Sequence, residues 1–183
     1  MKRITALLAI FTVTLLVSCS TLPTPHQKET NPCNWEVYFS PHGGCTDAVV
    51  RELNKAKSTV LVQAYSFTSA PSAEALLNAH KRGIKVEIIF DKGQRTDQYS
   101  SATFLFNAGI PIKIDSQHAV AHNKIIVIDG ETVITGSFNF TKAAEENNAE
   151  NLVLIRDKKL AERYTINWQE HERHSEAYVG RGR

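Results

Sequence analysis

A short stretch in the second half of the chain carries side chains suited to phosphate chemistry at regular spacing. His122 and Lys124 lie two residues apart on a predicted strand, and Ser137 and Asn139 have the same spacing after a predicted hairpin. Alternate side chains of a strand share a face, and a hairpin returns the end of its second strand to the start of its first. We therefore expect an imidazole, an ammonium, a hydroxyl and an amide to converge at one edge of a sheet. The imidazole is a possible nucleophile or base, and the other three groups can donate hydrogen bonds to phosphate oxygens.

Two more residues of this stretch are expected to shape it. Gly136 allows a tight bend before Ser137. Asp129 has the opposite strand parity from His122 and lies at the turn of the hairpin, in the dipeptide Asp129-Gly130. We therefore predict that Asp129 points away from the other groups and has a structural role, either capping the turn or pairing with a neighbour.

The elements that must position these residues alternate between strand and helix patterns. Strands are predicted over residues 35–39, 59–65, 85–90, 110–114, 122–128, 132–135 and 151–155. Helices are predicted after a cap at Thr46 and over residues 72–82, 100–108 and 158–174. This order predicts an α/β fold of one domain, with a mixed, largely parallel sheet flanked by helices on both faces.

Composition excludes several other classes of protein. The chain has 183 residues, of which 42% are hydrophobic and 22% charged, with a formal net charge of +2. These values are ordinary for a globular domain and exclude a disordered tail, a collagen-like fibre, a small disulfide scaffold and a multi-span membrane protein. The charge gives only weak support for a polyanionic partner.

The N-terminus has the pattern of an export signal. Lys2 and Arg3 precede an uncharged apolar run over residues 4–17, which ends in Ser18 and Cys19. The run is shorter than the roughly 20 residues of a spanning helix, and the end resembles a bacterial lipobox. We predict a lipoprotein-type signal peptide over residues 1–18, lipid attachment at Cys19, and an exported bacterial protein anchored to a membrane on the periplasmic side. The alternative is an ordinary signal peptide and a periplasmic or secreted protein.

Removal of the signal peptide would also change the charge and the cysteine count. Both surplus basic residues lie in residues 1–18, which leaves 19 basic and 19 acidic residues in the mature chain. Residues 19–34 are predicted to be a flexible tether, residues 35–175 the catalytic domain, and residues 176–183 a C-terminal tail. Cys33 and Cys45 could form a disulfide in an oxidising compartment, or remain as two thiols.

Common catalytic motifs are absent from the sequence. There is no phosphate-binding glycine loop, and Asn139 stands where the nucleophile elbow of an α/β hydrolase has its second glycine. His118 and His122 have the spacing of a zinc helix, but Ala119 follows His118 and the segment continues into a strand. We assign His118 to a loop and predict no metal site.

Taken together, the spaced residues resemble the signature of the phospholipase D superfamily, His-x-Lys-x4-Asp-x6-Gly-Ser-x-Asn. Every fixed position matches, and the match is formed by His122, Lys124, Asp129, Gly136, Ser137 and Asn139. The resemblance extends over roughly residues 36–171 and is closest to the short bacterial endonucleases of the superfamily.

The resemblance implies a role for each group. His122 would attack phosphorus and form a phosphohistidine, and a second histidine would protonate the leaving oxygen and later activate water. Lys124 and Asn139 would hold phosphate oxygens, and Ser137 would support the site. Glu150 matches the downstream carboxylate that bonds the far nitrogen of the nucleophilic histidine, although a surface acid before a strand is the alternative. No metal or other cofactor is implied.

The resemblance also implies a partner and a substrate class. One motif supplies one histidine, so we expect a homodimer with one active site at its two-fold interface. A metal-independent endonuclease acting on DNA or RNA is the leading prediction, with four basic residues as candidates for backbone contacts: Lys92, Arg95, Lys113 and Lys142. The alternatives are a phospholipase D-type hydrolase of phospholipid head groups and an inactive phosphate-binding lipoprotein, which the intact motif disfavours.

Overall fold

The computed structural model describes residues 34–180, which contain one eight-stranded sheet. The strands are β1 (Trp35–Ser40), β2 (Thr59–Ala64), β3 (Lys85–Asp91), β4 (Ile112–Asp115), β5 (Lys124–Ile128), β6 (Thr132–Gly136), β7 (Glu150–Arg156) and β8 (Glu176–Ala177). The helices are α1 (Cys45–Lys55), α2 (Ala70–Lys81), α3 (Ala102–Asn107), α4 (Lys142–Glu146) and α5 (Lys158–His174). The spatial order of the strands is β1-β7-β6-β5-β2-β3-β4-β8.

The predicted α/β class and the mixed sheet are confirmed, but the predicted majority of parallel pairs is wrong. Only β2–β3 and β3–β4 are parallel, because helices α2 and α3 carry the chain back across the sheet between them. The other five pairs are antiparallel. The chain reverses at β5, which pairs antiparallel to β2, and then continues through β6 to β7, which pairs with the N-terminal strand β1.

Helices cover both faces of the sheet, as predicted. The larger core lies on the face covered by α1 and α2 and contains alternate residues of the central strands, such as Val60, Val62, Ile126 and Ile134. The smaller core lies under α5 and includes Ile125, Val127, Val133 and Ala161. Side chains of β5 alternate between the two cores, so the strand is buried on both faces, and its residues after Lys124 are all apolar.

Element boundaries differ from the sequence prediction in a few places. The N-cap of α1 is Gly44, with a left-handed backbone, rather than Thr46. Helix α4 was not predicted because it is only five residues long, although Thr141 caps it through a hydrogen bond from the Ala144 N–H. The predicted tail from residue 176 is wrong at its start, because Glu176–Ala177 pair with β4 and Tyr178 is buried.

Several predictions concern residues beyond this structure. The signal peptide, the lipid attachment at Cys19 and most of the tether lie outside the described residues, as does Cys33. Cys45 is buried at the start of α1, and burial together with the carboxylate of Glu145 raises the pKa of its thiol to about 11. Within residues 34–180, no helix is both long and apolar enough to cross a membrane.

Candidate active site

His122 is fixed by hydrogen bonds on both sides of it in the chain. The Ala121 N–H donates to Oδ2 of Asp91 at 2.8 Å, and the Asn123 carbonyl accepts from the Tyr65 N–H at 2.8 Å. The imidazole itself is exposed, and its ring centroid lies 4.6 Å from that of Tyr65. The backbone around His122 is therefore held by the ends of β2 and β3, while the ring remains accessible to a substrate.

Lys124 is the buried cation of the site. It is the first residue of β5 and only 6% exposed. Its Nζ donates to the carbonyl oxygen of His122 at 2.9 Å and lies 5.0 Å from the centroid of the Tyr65 ring. Burial lowers the pKa of Lys124 below its ordinary value, and the negative charge of Glu150 opposes that shift. The imidazole of His122 and the ammonium of Lys124 thus meet at the ring of Tyr65.

Gly136 is the last residue of β6, and its position has no room for a side chain. A Cβ on Gly136 would lie 2.3 Å from the carbonyl oxygen of Asn151 on β7, and its φ of +143° is rarely adopted by other residues. This close approach lets the N–H groups of Ser137 and Phe138 both donate to the same Asn151 carbonyl. Gly136 therefore sets the position of Ser137 against β7.

Ser137 and Glu150 form a hydrogen-bonded pair beside Lys124. Oγ of Ser137 donates to Oε2 of Glu150 at 2.6 Å and accepts from the Asn151 N–H at 3.1 Å. Oε1 of Glu150 accepts from the amide of Asn148 at 3.2 Å. The predicted bond between Glu150 and His122 is not formed among the described residues. The two carboxylate oxygens of Glu150 instead accept from Ser137 and Asn148.

Asn139 has an unsatisfied polar atom pointing into the protein. Its side-chain Oδ1 is buried and has no hydrogen-bond partner within residues 34–180. Phe138 and Phe140 on either side are both buried in the larger core, so the backbone carrying this amide is firmly held. An unpaired buried polar atom of this kind costs about 1–3 kcal/mol.

Asp129 lies at the opposite end of β5 from His122. Its carboxylate accepts from three consecutive backbone N–H groups, those of Lys57, Ser58 and Thr59, and from the Ser58 hydroxyl. Burial would raise the pKa of Asp129, but these hydrogen bonds outweigh it and hold the pKa below the ordinary value. Asp129 therefore joins the hairpin to the start of β2 and takes no part in the cluster around His122.

Sequence reasoning missed two residues that organise the site. Tyr65 contacts both His122 and Lys124, and Asp91 is a buried carboxylate whose Oδ1 and Oδ2 accept from the N–H groups of Gly93 and Ala121. The sequence did contain an indication of both residues. Each lies at the carboxyl end of an apolar predicted strand, and binding residues are often found at that edge of a sheet.

Most of the basic residues considered for nucleic-acid contacts are already paired. Arg95 lies 2.8 Å from Glu176, Lys113 forms an ion pair with Glu172, and Lys142 lies 3.6 Å from Glu146. Lys92 instead donates to the carbonyl oxygen of His118. These contacts leave little uncompensated positive charge among the four residues, so a phosphate backbone would depend mainly on Lys124 and neutral donors.

The arrangement can perform one kind of chemistry well. An exposed imidazole beside a buried ammonium can attack a phosphorus atom while the positive charge stabilises the phosphate oxygens. The hydroxyl–carboxylate pair of Ser137 and Glu150 lies close enough for Glu150 to affect the pKa of Lys124. Together with the six signature residues, this geometry defines a phosphodiesterase site on an α/β domain.

Comparison with known proteins places the chain in a family. Residues 49–171 match the family described as "Cardiolipin synthase, PLD-like domain". The chain belongs to the phospholipase D superfamily and is a hydrolase of that superfamily, a phosphodiesterase.

Particular relatives share much of the chain. It is 43% identical over 141 residues to "Phospholipase D" of Rickettsia prowazekii (strain Madrid E), a match covering 77% of this chain and 69% of the relative. It is 42% identical over 147 residues to "Phospholipase D" of Rickettsia typhi (strain ATCC VR-144 / Wilmington), covering 80% and 70% respectively. Among solved structures, the phospholipase D family member Nuc from Salmonella typhimurium is 40% identical, with a TM-score of 0.76, and the match covers 79% of this chain and 97% of Nuc.

Proposed function

We propose that this phosphodiesterase is a non-specific endonuclease that cleaves DNA or RNA through a phosphohistidine formed at His122. The observation that carries the proposal is the pairing of the exposed His122 ring with the buried Lys124 ammonium against Tyr65. The short single-motif chain is similar in kind to the bacterial endonucleases of the superfamily. The exposed ring can reach a phosphodiester within a long polymer.

The proposed reaction has two displacement steps. In the first, a ring nitrogen of His122 forms a bond to phosphorus, the bond from phosphorus to the leaving oxygen breaks, and a second histidine gives that oxygen a proton. In the second, the same histidine takes a proton from water, the water oxygen bonds to phosphorus, and His122 leaves. The ammonium of Lys124 stabilises the phosphoryl oxygens in both steps. No step requires a metal ion, so we expect cleavage to persist in EDTA.

A second copy of the chain is the proposed source of the second histidine. His122 contacts Tyr65, and no other imidazole of residues 34–180 makes a hydrogen bond or ring contact with it. A two-fold interface through the site would bring two copies of His122 and Lys124 together.

An exposed apolar row on the edge strand supports this dimer. Trp35, Val37 and Phe39 alternate along β1 with their side chains exposed, and Phe39 is 64% exposed. They neighbour Val153 and Ile155 of β7 through the β1–β7 pairing. Phe39 lies next to Ser40, whose hydroxyl accepts from the Glu150 N–H, so this row reaches the end of the sheet that carries the site. Burial of such a row in an interface is favourable by about 25 cal/mol for each Å² removed from water.

The surroundings of His122 favour a nucleic acid over a lipid. A cleft of about 190 Å³ beside Tyr65 is lined by Ser66, Asp91, Gly93, Gln94 and Asp97, without an aliphatic side chain. Such a polar lining suits the hydrogen-bonding groups of sugars and bases better than acyl chains. The second candidate is a phospholipid head-group hydrolase, which the names of the Rickettsia relatives support.

Parallel assays of the full mature protein in detergent would separate these candidates. Supercoiled plasmid DNA in EDTA and phosphatidylcholine vesicles would be incubated with wild type, His122→Ala and, as a matched control on α2, His80→Ala. We expect plasmid cleavage by wild type and His80→Ala, and none by His122→Ala. Lipid turnover with intact DNA would establish the second candidate instead, and the absence of both activities would favour a phosphate-binding protein.

We also propose that the mature protein is anchored by lipid at Cys19 on the periplasmic side of a bacterial membrane. The support is the lipobox-like sequence that ends in Ser18 and Cys19. Cell fractionation tests it: wild type should sediment with membranes and Cys19→Ala should not. Equal distribution of the two proteins would refute the anchor.

A further inference from the structure

Four residues that the catalytic site does not use converge at another corner of the domain. They are Asp115 at the end of β4, His118 in the following loop, and His171 and His174 in the last turn of α5. Their candidate ligand atoms all lie within 4.8 Å of one another. The group connects two segments that are more than 50 residues apart in sequence, so it is a product of tertiary folding.

The Asp115 carboxylate is the centre of this cluster. It is completely buried, and its Oδ2 lies 2.8 Å from Nδ1 of His171, 3.0 Å from Nδ1 of His118 and 3.3 Å from Nε2 of His174. Three imidazole nitrogens therefore face one oxygen. The three ring centroids are 4.9–5.3 Å apart, so the rings lie at the corners of a nearly equilateral triangle.

This donor set has the composition and the dimensions of a transition-metal site. Imidazole nitrogens and a carboxylate oxygen are ordinary ligands of Zn²⁺, and bonds of about 2.0–2.1 Å in a tetrahedron put neighbouring donor atoms about 3.3 Å apart. The carboxylate–imidazole separations of 2.8–3.3 Å already match that spacing. The distances between the imidazole nitrogens are at most 4.8 Å and would have to shorten to about 3.3 Å on metal binding. Rotation of the partly exposed histidine side chains can supply that change.

The surrounding bonds hold the ligands in place. Oδ1 of Asp115 accepts from the Gln117 N–H at 3.2 Å, which fixes the carboxylate plane. Nζ of Lys92 donates to the His118 carbonyl at 3.1 Å, and the Ser175 hydroxyl donates to the His171 carbonyl at 2.7 Å. The first contact orients the carboxylate itself, and the other two hold the backbone that carries the His118 and His171 rings.

We propose that Asp115, His118, His171 and His174 bind one divalent transition-metal ion per chain, with Zn²⁺ as the preferred ion. Four protein ligands would leave no open coordination position, so the ion is structural. It would fasten the end of α5 to β4 and fix the start of the loop that leads from His118 to His122. The sequence alone predicted no metal site here, because two of the ligands are more than 50 residues from His118.

Metal binding to the untagged full mature protein tests the proposal directly. The probes are Zn²⁺, quantified by elemental analysis after dialysis, and Co²⁺, whose visible d–d absorption reports four-coordinate geometry. We expect one ion per chain and the absorption bands of tetrahedral Co²⁺. Zn²⁺ at about 100 times its Kd should raise the melting temperature by about 5–10 °C.

Variants show whether the ion occupies this cluster. His171→Ala/His174→Ala should abolish the Co²⁺ bands, and His118→Ala, a milder change at an exposed position, should weaken Zn²⁺ binding by at least about 100-fold. His80→Ala and His122→Ala should each retain one ion, which excludes the catalytic histidine as the binding site. Circular dichroism would verify that each variant is folded.

Two results would overturn the proposal. One is wild-type protein that takes up less than a tenth of an ion per chain from either probe. The other is undiminished Co²⁺ absorption in folded His118→Ala and His171→Ala/His174→Ala proteins.

Discussion

Replacement of Asp129 is expected to damage stability and leave catalysis intact, although Asp129 belongs to the signature. Asp129→Ala removes hydrogen bonds to three backbone N–H groups and one hydroxyl. A hydrogen bond to a charged group typically contributes about 1.5–3 kcal/mol to stability. Most of these bonds are solvent-exposed, so water compensates for part of their loss and each contributes well below that range. Alanine is also less tolerant than aspartate of the left-handed φ of 55°. The free energy of unfolding should fall by about 3–5 kcal/mol.

Urea denaturation and steady-state kinetics at 20 °C measure the two effects separately. Asp129→Asn keeps a short polar side chain and should lose roughly half as much stability as Asp129→Ala. Asp157→Ala is the matched control, because that carboxylate accepts a single backbone bond as the N-cap of α5 and should cost about 1 kcal/mol. The kcat of the folded Asp129 variants should stay within about threefold of wild type. Asp129 does not contact the groups around His122, so its loss should leave the activation free energy of the reaction unchanged. A loss beyond tenfold in folded protein, or a stability change no larger than that of Asp157→Ala, would refute the structural assignment.

The pH dependence gives a further test of the same contacts. The folded pKa of Asp129 is held below the ordinary 3.8, so its stabilisation is fully present above that value and is lost as the pH falls through the folded pKa. The stability difference between wild type and Asp129→Ala should therefore be constant near neutral pH and shrink below about pH 4. A difference that grew on acidification would contradict the assigned direction.

Three other predictions follow from the site. Gly136→Ala should lower the free energy of unfolding by at least about 2 kcal/mol in urea titrations, because its Cβ would lie 2.3 Å from the Asn151 carbonyl oxygen; unchanged stability would contradict that contact. Lys124→Met should reduce kcat about 100- to 1,000-fold, because the charge that stabilises the phosphoryl oxygens is lost. As the pH rises, wild-type activity should begin to fall before pH 10.5, because burial lowers the pKa of Lys124 and deprotonation removes the same charge; an alkaline limit above 10.5 would contradict this. Mixing wild type with a threefold excess of His122→Ala under subunit exchange should reduce activity per wild-type chain to about a quarter, since mixed dimers lack one histidine; unchanged activity would exclude a shared site.

Local chemistry explains why much of the fold was predictable. The Asp129-Gly130 hairpin is confirmed, with positive φ at both residues, because few other dipeptides adopt that turn at low cost. Helix α5 begins and ends where its sequence pattern predicted, since Asp157 caps its start and its apolar side chains recur at helical spacing. Such features depend on neighbours within a few residues.

Strand pairing was less predictable because it depends on distant residues. Alternation of helix and strand correctly predicted the parallel unit β2–β3–β4, but the same pattern could not show that β5 would pair with β2 from the other direction. Helix α4 and strand β8 are too short to produce a periodic signal. Their positions are set by contacts with β1 and β4.

The sequence by itself determined the chemistry of this protein, and the tertiary structure decided how its groups are used. Strand geometry relates residues two positions apart, so the spacing of His122 and Lys124 was sufficient to place the two side chains on one face. The resemblance of six spaced residues to the superfamily signature then implied a phosphodiesterase. Only the folded structure shows that Tyr65 joins these two side chains, that Asp91 fixes the backbone before His122, and that Glu150 bonds Ser137. The same is true of the three histidines around Asp115, because packing of α5 against β4 brings together residues that no local pattern relates.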